Sequence, residues 1–107
     1  MLGEEPVLED VRANCFGFES GGLMQVRGNG CLVLGAEELV FVRWLPRRTW
    51  RIALGDVLVV DAARSHLGKT VGRELLRVRF ATERGDADAV AWRVRDLAAW
   101  LRALGAC

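Results

Sequence analysis

Residues 28–54, GNGCLVLGAEELVFVRWLPRRTWRIAL, constrain the fold more than any other stretch of this sequence. Two short apolar runs in it, residues 31–34 and 39–45, are bounded by glycine and acidic residues, which is typical of strands rather than helices. Pro46 cannot donate a hydrogen bond to a neighbouring strand, so it ends the second run. The stretch therefore predicts an antiparallel meander of short strands.

The third strand of the meander is predicted over residues 50–54. Its three large apolar residues alternate with Arg51 and Ala53, which is the period of two that a half-buried strand shows. A tight hairpin turn is predicted at residues 28–30, Gly-Asn-Gly, because both residue types tolerate the positive φ that such turns require.

The rest of the chain, up to residue 88, is predicted to form further strands with polar connections. Residues 1–10 are expected to be a loose lead-in, and residues 64–73 (RSHLGKTVGR) are polar and rich in glycine, which indicates a loop. Strands are predicted at residues 11–18, 23–27, 57–60 (with an extension to 63 left open) and 75–82.

The C-terminal segment has two interpretations. Alternating apolar residues favour a strand over residues 89–94, followed by a helix over residues 96–104 with Asp96 as its N-cap and Gly105 as its stop. The apolar residues of the same segment also recur at spacings of four and three, which is the pattern of one long amphipathic helix. We expect the strand and the shorter helix, and the long helix is the alternative.

Composition predicts one folded domain over residues 1–107. Of these residues, 51% are hydrophobic and 27% are charged, which argues against disorder. The net charge of +1 gives no overall field that would draw the chain to nucleic acid, so a nucleic-acid partner is not expected. The basic residues are nearly all arginine, which suggests a GC-rich genome.

The cysteines and the N-terminus predict a reduced, cytoplasmic location. Cys15, Cys31 and Cys107 are an odd number without local pairing. The acidic N-terminus lacks the basic and apolar regions of a secretory signal, and no apolar run is long enough to cross a bilayer. Neither a disulfide framework nor a transmembrane segment is expected.

Three segments and one tryptophan carry a resemblance to a known family. They are the glycine-led run GCLVL (30–34), the run LVF (39–41), the run WRIAL (50–54), and Trp100 in the closing helix. In these the chain resembles the PH-like superfamily, most closely its GRAM-type and bacterial PH-like members. The resemblance covers residues 23–104 and departs at Gly35, where GRAM-type sequences commonly carry threonine.

The resemblance implies a mainly β fold, a seven-stranded bent barrel capped by one C-terminal helix. It also implies a binding or adaptor module rather than an enzyme. The physical basis is that a helix with an apolar face can cover the open end of a strongly bent sheet. Trp50, Trp92 and Trp100 fit buried positions, whereas Trp44 is the tryptophan expected to be exposed.

An arginine cluster with one tryptophan surrounds the predicted connection that follows Pro46, between the second and third strands of the meander. Tryptophan and arginine are common anchors of binding surfaces, which favours a site for an acidic or anionic partner. The alternative is a solvated hairpin tip, since charge runs are often only surface. The predicted binding residues are Arg43, Trp44, Arg47, Arg48 and Arg51.

Lipid binding through these residues is the second functional hypothesis. PH-like domains that bind lipid phosphates usually carry several basic residues at the first hairpin, where this chain offers only Arg27. Four arginines at about 1 kcal/mol each give about 4 kcal/mol at an anionic membrane, a millimolar-scale attraction. Unassisted recruitment to a membrane is therefore not expected.

His66 and Lys69, in the segment SHLGK, are secondary candidates together with Arg27. A nucleophile needs a base and an orienting group within reach, and no such trio is visible. His66 is the only histidine, so a zinc site would need all three scattered cysteines as well. We expect a surface histidine in a loop, no catalytic residues, no metal and no cofactor.

Two hypotheses follow. The first is a non-catalytic module that docks a protein segment or associates with itself through an open sheet edge and the surface at residues 44–51. The second is an anionic-lipid or acidic-ligand binder that uses the same arginines. Salt separates them, because the attraction to lipid fades as ionic strength rises and an apolar contact persists.

Overall fold

The structure is a computed structural model that describes residues 7–21, 28–66 and 69–105. In these residues, seven antiparallel strands form one sheet, and one α-helix follows them. Two short 3-10 turns lie at Glu19–Gly21 and Leu54–Asp56. The strands are β1 (Leu8–Phe18), β2 (Gly28–Leu34), β3 (Glu38–Arg43), β4 (Arg48–Ala53), β5 (Val57–His66), β6 (Lys69–Ala81) and β7 (Ala87–Arg93), and the helix is α1 (Leu97–Ala103).

The strands lie in the order β4-β3-β2-β1-β7-β6-β5, so the first strand in sequence is at the centre of the sheet. Cys15 of β1 pairs with Gly28 on one side and with Trp92 on the other. The 3-10 turn Leu54–Asp56 sends the chain from β4 at one edge to β5 at the other, and no ladder joins these two strands within the described residues. The predicted mainly β fold with seven strands and a closing helix is confirmed, but the sheet is bent and open rather than a closed barrel.

One face of the bent sheet and α1 enclose the core. Trp92 and Trp100 are each 1% exposed, and Phe41 contacts Trp92 with ring centroids 6.0 Å apart. In β2 and β3 buried residues alternate with less buried ones, as the period of two requires, whereas β7 is buried continuously from Asp88 to Trp92. The fully buried aliphatic side chains of the core include Leu32, Leu34, Leu39, Leu75, Leu76, Val78 and Val90.

The C-terminal segment forms a strand and a short helix, and the single long helix is wrong. β7 pairs along its length with β6 through a hairpin, which a helix over the same residues would prevent. Asp96 caps α1, since its side chain accepts a hydrogen bond from the N–H of Ala99 at 3.1 Å. Gly105 follows the helix with a φ of +75°, the conformation in which helices commonly end.

The predicted hairpin turn at residues 28–30 is wrong, because these residues lie inside β2. Gly30 pairs with Ala13 of β1 and with Arg43 of β3. A Cβ at Gly30 would lie 2.2 Å from the carbonyl oxygen of Val42 and 2.9 Å from the ring of Phe41. The glycine therefore serves close packing between neighbouring strands, and not a turn.

Two other boundaries differ from the prediction. β1 begins at Leu8, inside the expected lead-in, and Leu8 pairs with Leu34 of β2. Within the expected loop at residues 64–73, residues 64–66 belong to β5 and residues 69–73 to β6, and His66 pairs with Lys69. Backbone pairing with a partner strand stabilises these residues without an apolar pattern in their sequence. The strand predicted at residues 23–27 lies outside the described residues.

Candidate functional site

The five residues of the predicted site divide between two depressions beside the β3–β4 hairpin. Arg43, Trp44 and Arg47 line a hairpin depression with a cavity volume of about 370 Å³. Arg48 and Arg51 line a second cavity of about 340 Å³. The division does not follow the faces of the strands, since Arg43 and Arg48 are paired across the β3–β4 ladder and line different depressions.

Trp50, rather than Trp44, is the aromatic residue that holds the arginines. The Cζ atoms of Arg43 and Arg48 lie 5.2 and 4.7 Å from the centroid of the Trp50 ring, within the range of cation–π attraction. Arg43 and Arg48 are also paired across the β3–β4 ladder, and the Trp50 ring stacks on Phe41. The sequence of β4 indicated the contact between Arg48 and Trp50, since residues two apart in a strand share a face.

Arg51, which lines the second cavity together with Arg48, already has an acidic partner. Its Nη1 donates to Oε1 of Glu38 in an exposed ion pair. Such surface pairs contribute at most about 1 kcal/mol to stability. The pairing nevertheless offsets the charge of Arg51, so the arginine cluster is less basic than its sequence predicts.

The turn of the hairpin places two large apolar side chains in solvent. Trp44 is 52% exposed, as predicted, and the next residue, Leu45, is 87% exposed. The backbone of the turn is fixed at both ends, since the N–H of Trp44 donates to the carbonyl oxygen of Asn29 and Arg43 Nε donates to that of Pro46. The tip is therefore an ordered apolar projection beside basic residues.

The second cavity, which we call the seam cleft, lies beside the edge strand β4, and residues of β1, β6 and β7 form its other walls. Its walls are aromatic: the Phe18 ring lies 6.1 Å from that of Trp50 and 6.2 Å from that of Phe80, with the second pair edge to face. These rings come from β1, β4 and β6, so local sequence patterns could not bring them together. The cleft is lined by Phe18, Ser20, Arg48, Trp50, Arg51, Ile52, Phe80 and Asp88.

The carboxylate of Asp88 at the seam cleft is held by hydrogen bonds within the protein. It accepts from the backbone N–H and the hydroxyl of Ser20, at 3.0 and 2.6 Å, and from the N–H of Ala89 at 2.8 Å. The side chain is 8% exposed. Asp88 therefore joins β7 to the turn after β1, and it leaves the cleft an apolar interior with Arg48 at its rim.

Cys31 in the hairpin depression is not an activated thiol. Burial raises the pKa of this cysteine above 9.0, and the negative charges of Glu9 and Asp10 raise it further. A thiol with a raised pKa is protonated at neutral pH and is a poor nucleophile. The depression thus offers Trp44, Val42 and basic groups to a ligand, and no reactive sulfur.

The secondary candidates do not form a site together in the described residues. His66 was expected at the surface, but it is 4% exposed and its Nε2 donates to the carbonyl oxygen of Gly17 at 2.8 Å. The hydrogen bond of this histidine joins β5 to β1 and has a structural role. Lys69 begins β6 opposite His66, and Arg27 lies outside the described residues.

No group of three or more histidine, cysteine or acidic side chains within residues 7–21, 28–66 and 69–105 is arranged to hold a metal ion. In the same part of the chain, no helix has the length and hydropathy that crossing a bilayer requires. Comparison with family models, curated proteins and solved structures finds no match to this chain. The resemblance to the PH-like superfamily therefore stays a prediction.

Proposed function

We propose that this protein is a non-catalytic binding module that holds an extended segment of a partner protein along the free edge of β4. The observation that carries this proposal is the position of the aromatic seam cleft beside an edge strand that has no second ladder in the described residues. An edge strand offers unpaired backbone N–H and C=O groups to an incoming strand. Affinity would come from the ladder and specificity from the cleft.

The chemistry of the cleft defines the segment that fits it. Every second side chain of a paired strand faces the same way, so one apolar or aromatic side chain of the segment enters between Phe18, Trp50 and Phe80. Burying an aromatic side chain there would contribute about 4–6 kcal/mol before the cost of association. Arg48 at the rim favours an acidic group in the segment. The expected ligand is an extended chain in which apolar and acidic residues alternate.

Selection of peptides by the purified protein tests this proposal. We expect a random peptide library to yield extended sequences of this kind that perturb the backbone amide signals of residues 48–53 in NMR spectra. Trp50→Ala should weaken their binding about tenfold or more, because it removes a wall of the cleft. Trp44→Ala is the matched control and should leave binding unchanged. Selected peptides that need Trp44 and ignore Trp50 would contradict the proposal.

A second copy of the chain is one source of such a segment, and light scattering tests it. We compare the molar mass of the wild-type protein with that of a variant in which Arg47 and Arg48 are both changed to glutamate. A dimeric wild type and a monomeric variant would identify the partner as the protein itself. A monomeric wild type would mean that the segment comes from a different protein.

Anionic lipid is a second candidate ligand, favoured by the exposure of Trp44 and Leu45 beside Arg43 and Arg47. Tryptophan is enriched at membrane interfaces, and basic residues add about 1 kcal/mol each near an anionic surface. Cosedimentation with vesicles of phosphatidylcholine and phosphatidylserine tests this candidate. Binding that fades at physiological ionic strength and requires Trp44 rather than Trp50 would favour lipid over the protein segment.

A further inference from the structure

We propose that the outer face of the sheet carries a second binding site, specific for a phosphate-class oxyanion. The site is a depression of about 240 Å³ formed where β1, β2 and the end of β7 meet, and we call it the arginine depression. It is separate from the seam cleft and does not depend on the function proposed for that cleft. The arginine depression is lined by Arg12, Asn14, Asn29, Arg93, Val94 and Arg95.

The register of the sheet aligns polar groups across three strands. Asn14 of β1 pairs with Asn29 of β2 on one side and with Arg93 of β7 on the other. Residues directly opposite each other in neighbouring strands project from the same face, with Cβ atoms about 4.5–5.5 Å apart. The two carboxamides and the guanidinium therefore form one row, which no local sequence pattern predicts.

Buried Asp10 fixes the backbone around this row. Its carboxylate accepts from the N–H of Arg12 at 2.8 Å and from the N–H of Arg95 at 2.7 Å. The side chain of Asp10 is 5% exposed, and its oxygens are directed at the backbone. Asp10 thus joins β1 to the segment after β7 and sets the positions from which two of the arginines extend.

The three arginines that line the arginine depression are not among the ion pairs of the described residues. The ion pairs within those residues involve Arg51, Arg77 and Arg79. Asp10 brings one negative charge near a lining that holds three arginines, and its carboxylate is directed at backbone N–H groups rather than at a guanidinium. Like charges held together repel each other, and a bound anion relieves that repulsion.

The donors of the depression suit a phosphate group, and its volume has room for one. Guanidinium and carboxamide groups present N–H donors in far larger number than the two oxygens of a carboxylate can accept. A phosphate group has three terminal oxygens and suits the planar guanidinium fork. A volume of about 240 Å³ lies below the range of about 300–1,000 Å³ that is usual for whole small molecules, so the depression fits one anionic group.

Titration with inorganic phosphate at low ionic strength, in a chloride buffer, tests this site. We expect saturable shifts of the backbone amide signals of residues 12, 14, 29, 93 and 95. Arg93→Gln should weaken the affinity for phosphate about tenfold, and Arg12→Gln should weaken it similarly. Arg84→Gln removes the same charge from an exposed turn and should change the affinity less than about twofold.

Shifts that do not saturate, or equal losses for Arg93→Gln and Arg84→Gln, would overturn the proposal. Vesicles of phosphatidylcholine with and without phosphatidic acid then distinguish two sources of the phosphate group. Vesicle binding that depends on Arg93 assigns the site to a lipid headgroup. Saturable phosphate binding without vesicle binding assigns it to a soluble phosphate ester.

Discussion

At Gly30 the absence of a side chain allows β2 and β3 to approach each other. The carbonyl oxygen of Val42 and the ring of Phe41 occupy the space that a Cβ would need. The cost of filling such a position is overpacking, because neither a paired backbone nor a core ring can move without disturbing its own contacts. The packing of the sheet therefore requires a residue without a side chain at position 30.

Replacing Gly30 with alanine should destabilise the protein by about 1–3 kcal/mol, the usual cost of overpacking. Thermal denaturation followed by circular dichroism measures the change. Gly55→Ala is the matched control, since no atom lies within 4 Å of a Cβ built there, and it should shift stability by less than about 1 kcal/mol. Equal melting temperatures for the two variants would contradict this account of Gly30.

Cys31 should resist alkylation at neutral pH. Its raised pKa means that the thiol keeps its proton at pH values where an ordinary cysteine begins to lose it, so less thiolate is present. We expect the rate of reaction with iodoacetamide, resolved by peptide mass spectrometry, to have its pH midpoint above that of an unburied cysteine, because burial raises the pKa of the Cys31 thiol. The same cysteine in urea-unfolded protein is the control. A midpoint at or below that of the unfolded chain would be inconsistent with this environment.

At the scale of elements, α1 acts as a lid on the bent sheet. Trp100 is its buried residue, and Leu97, Leu101 and Leu104 pack around the same core. A helix of seven residues is too short to be stable alone, so its stability comes from this packing and from the cap at Asp96. The lid and the core beneath it therefore depend on each other.

Trp100→Ala should lower the free energy of unfolding by about 3–5 kcal/mol, because it removes a large buried side chain and leaves a cavity. Denaturation in urea, monitored by circular dichroism, measures the loss. Trp44→Ala removes the same side chain from an exposed turn and should cost less than about 0.5 kcal/mol. If both variants unfold at the same urea concentration, Trp100 does not support the lid.

At the scale of the whole molecule, the ladder between β1 and β7 joins the two halves of the sheet. β1 to β4 lie on one side of this ladder and β5 to β7 on the other, with both halves contributing to a single core. Phe41 from one half contacts Trp92 from the other. Neither half can lose its structure without exposing the core of the other.

The protein should accordingly unfold in one cooperative transition. Differential scanning calorimetry checks this, since a two-state domain has a calorimetric enthalpy about equal to its van't Hoff enthalpy. Two separated heat-capacity peaks, or a calorimetric enthalpy well above the van't Hoff value, would show that the halves unfold independently. Reversibility on a second scan is the control that makes the comparison valid.

Local patterns predicted the elements whose structure depends on neighbouring residues in sequence. The meander from Cys31 to Ala53 and the strand followed by a helix at the C-terminus have clear periodicity and caps. The turn assigned to residues 28–30 failed because glycine serves both turns and close strand packing, and only the presence of β3 decides between them. The loop predicted at residues 64–73 is wrong for residues 64–66 and 69–73 for a related reason, since a partner strand stabilises residues that have no apolar pattern.

The sequence by itself determined that this chain is mainly β, that a helix closes it, and that arginines gather at one hairpin. These properties follow from periodicity, propensity and local charge. Only the tertiary structure decided that the sheet stays open, that Arg43 of β3 joins Arg48 over the Trp50 ring, and that Phe18 and Phe80 join Trp50 in one cleft. The reason is physical: register and strand order bring together residues that are far apart in the chain, and neither is encoded in any short stretch.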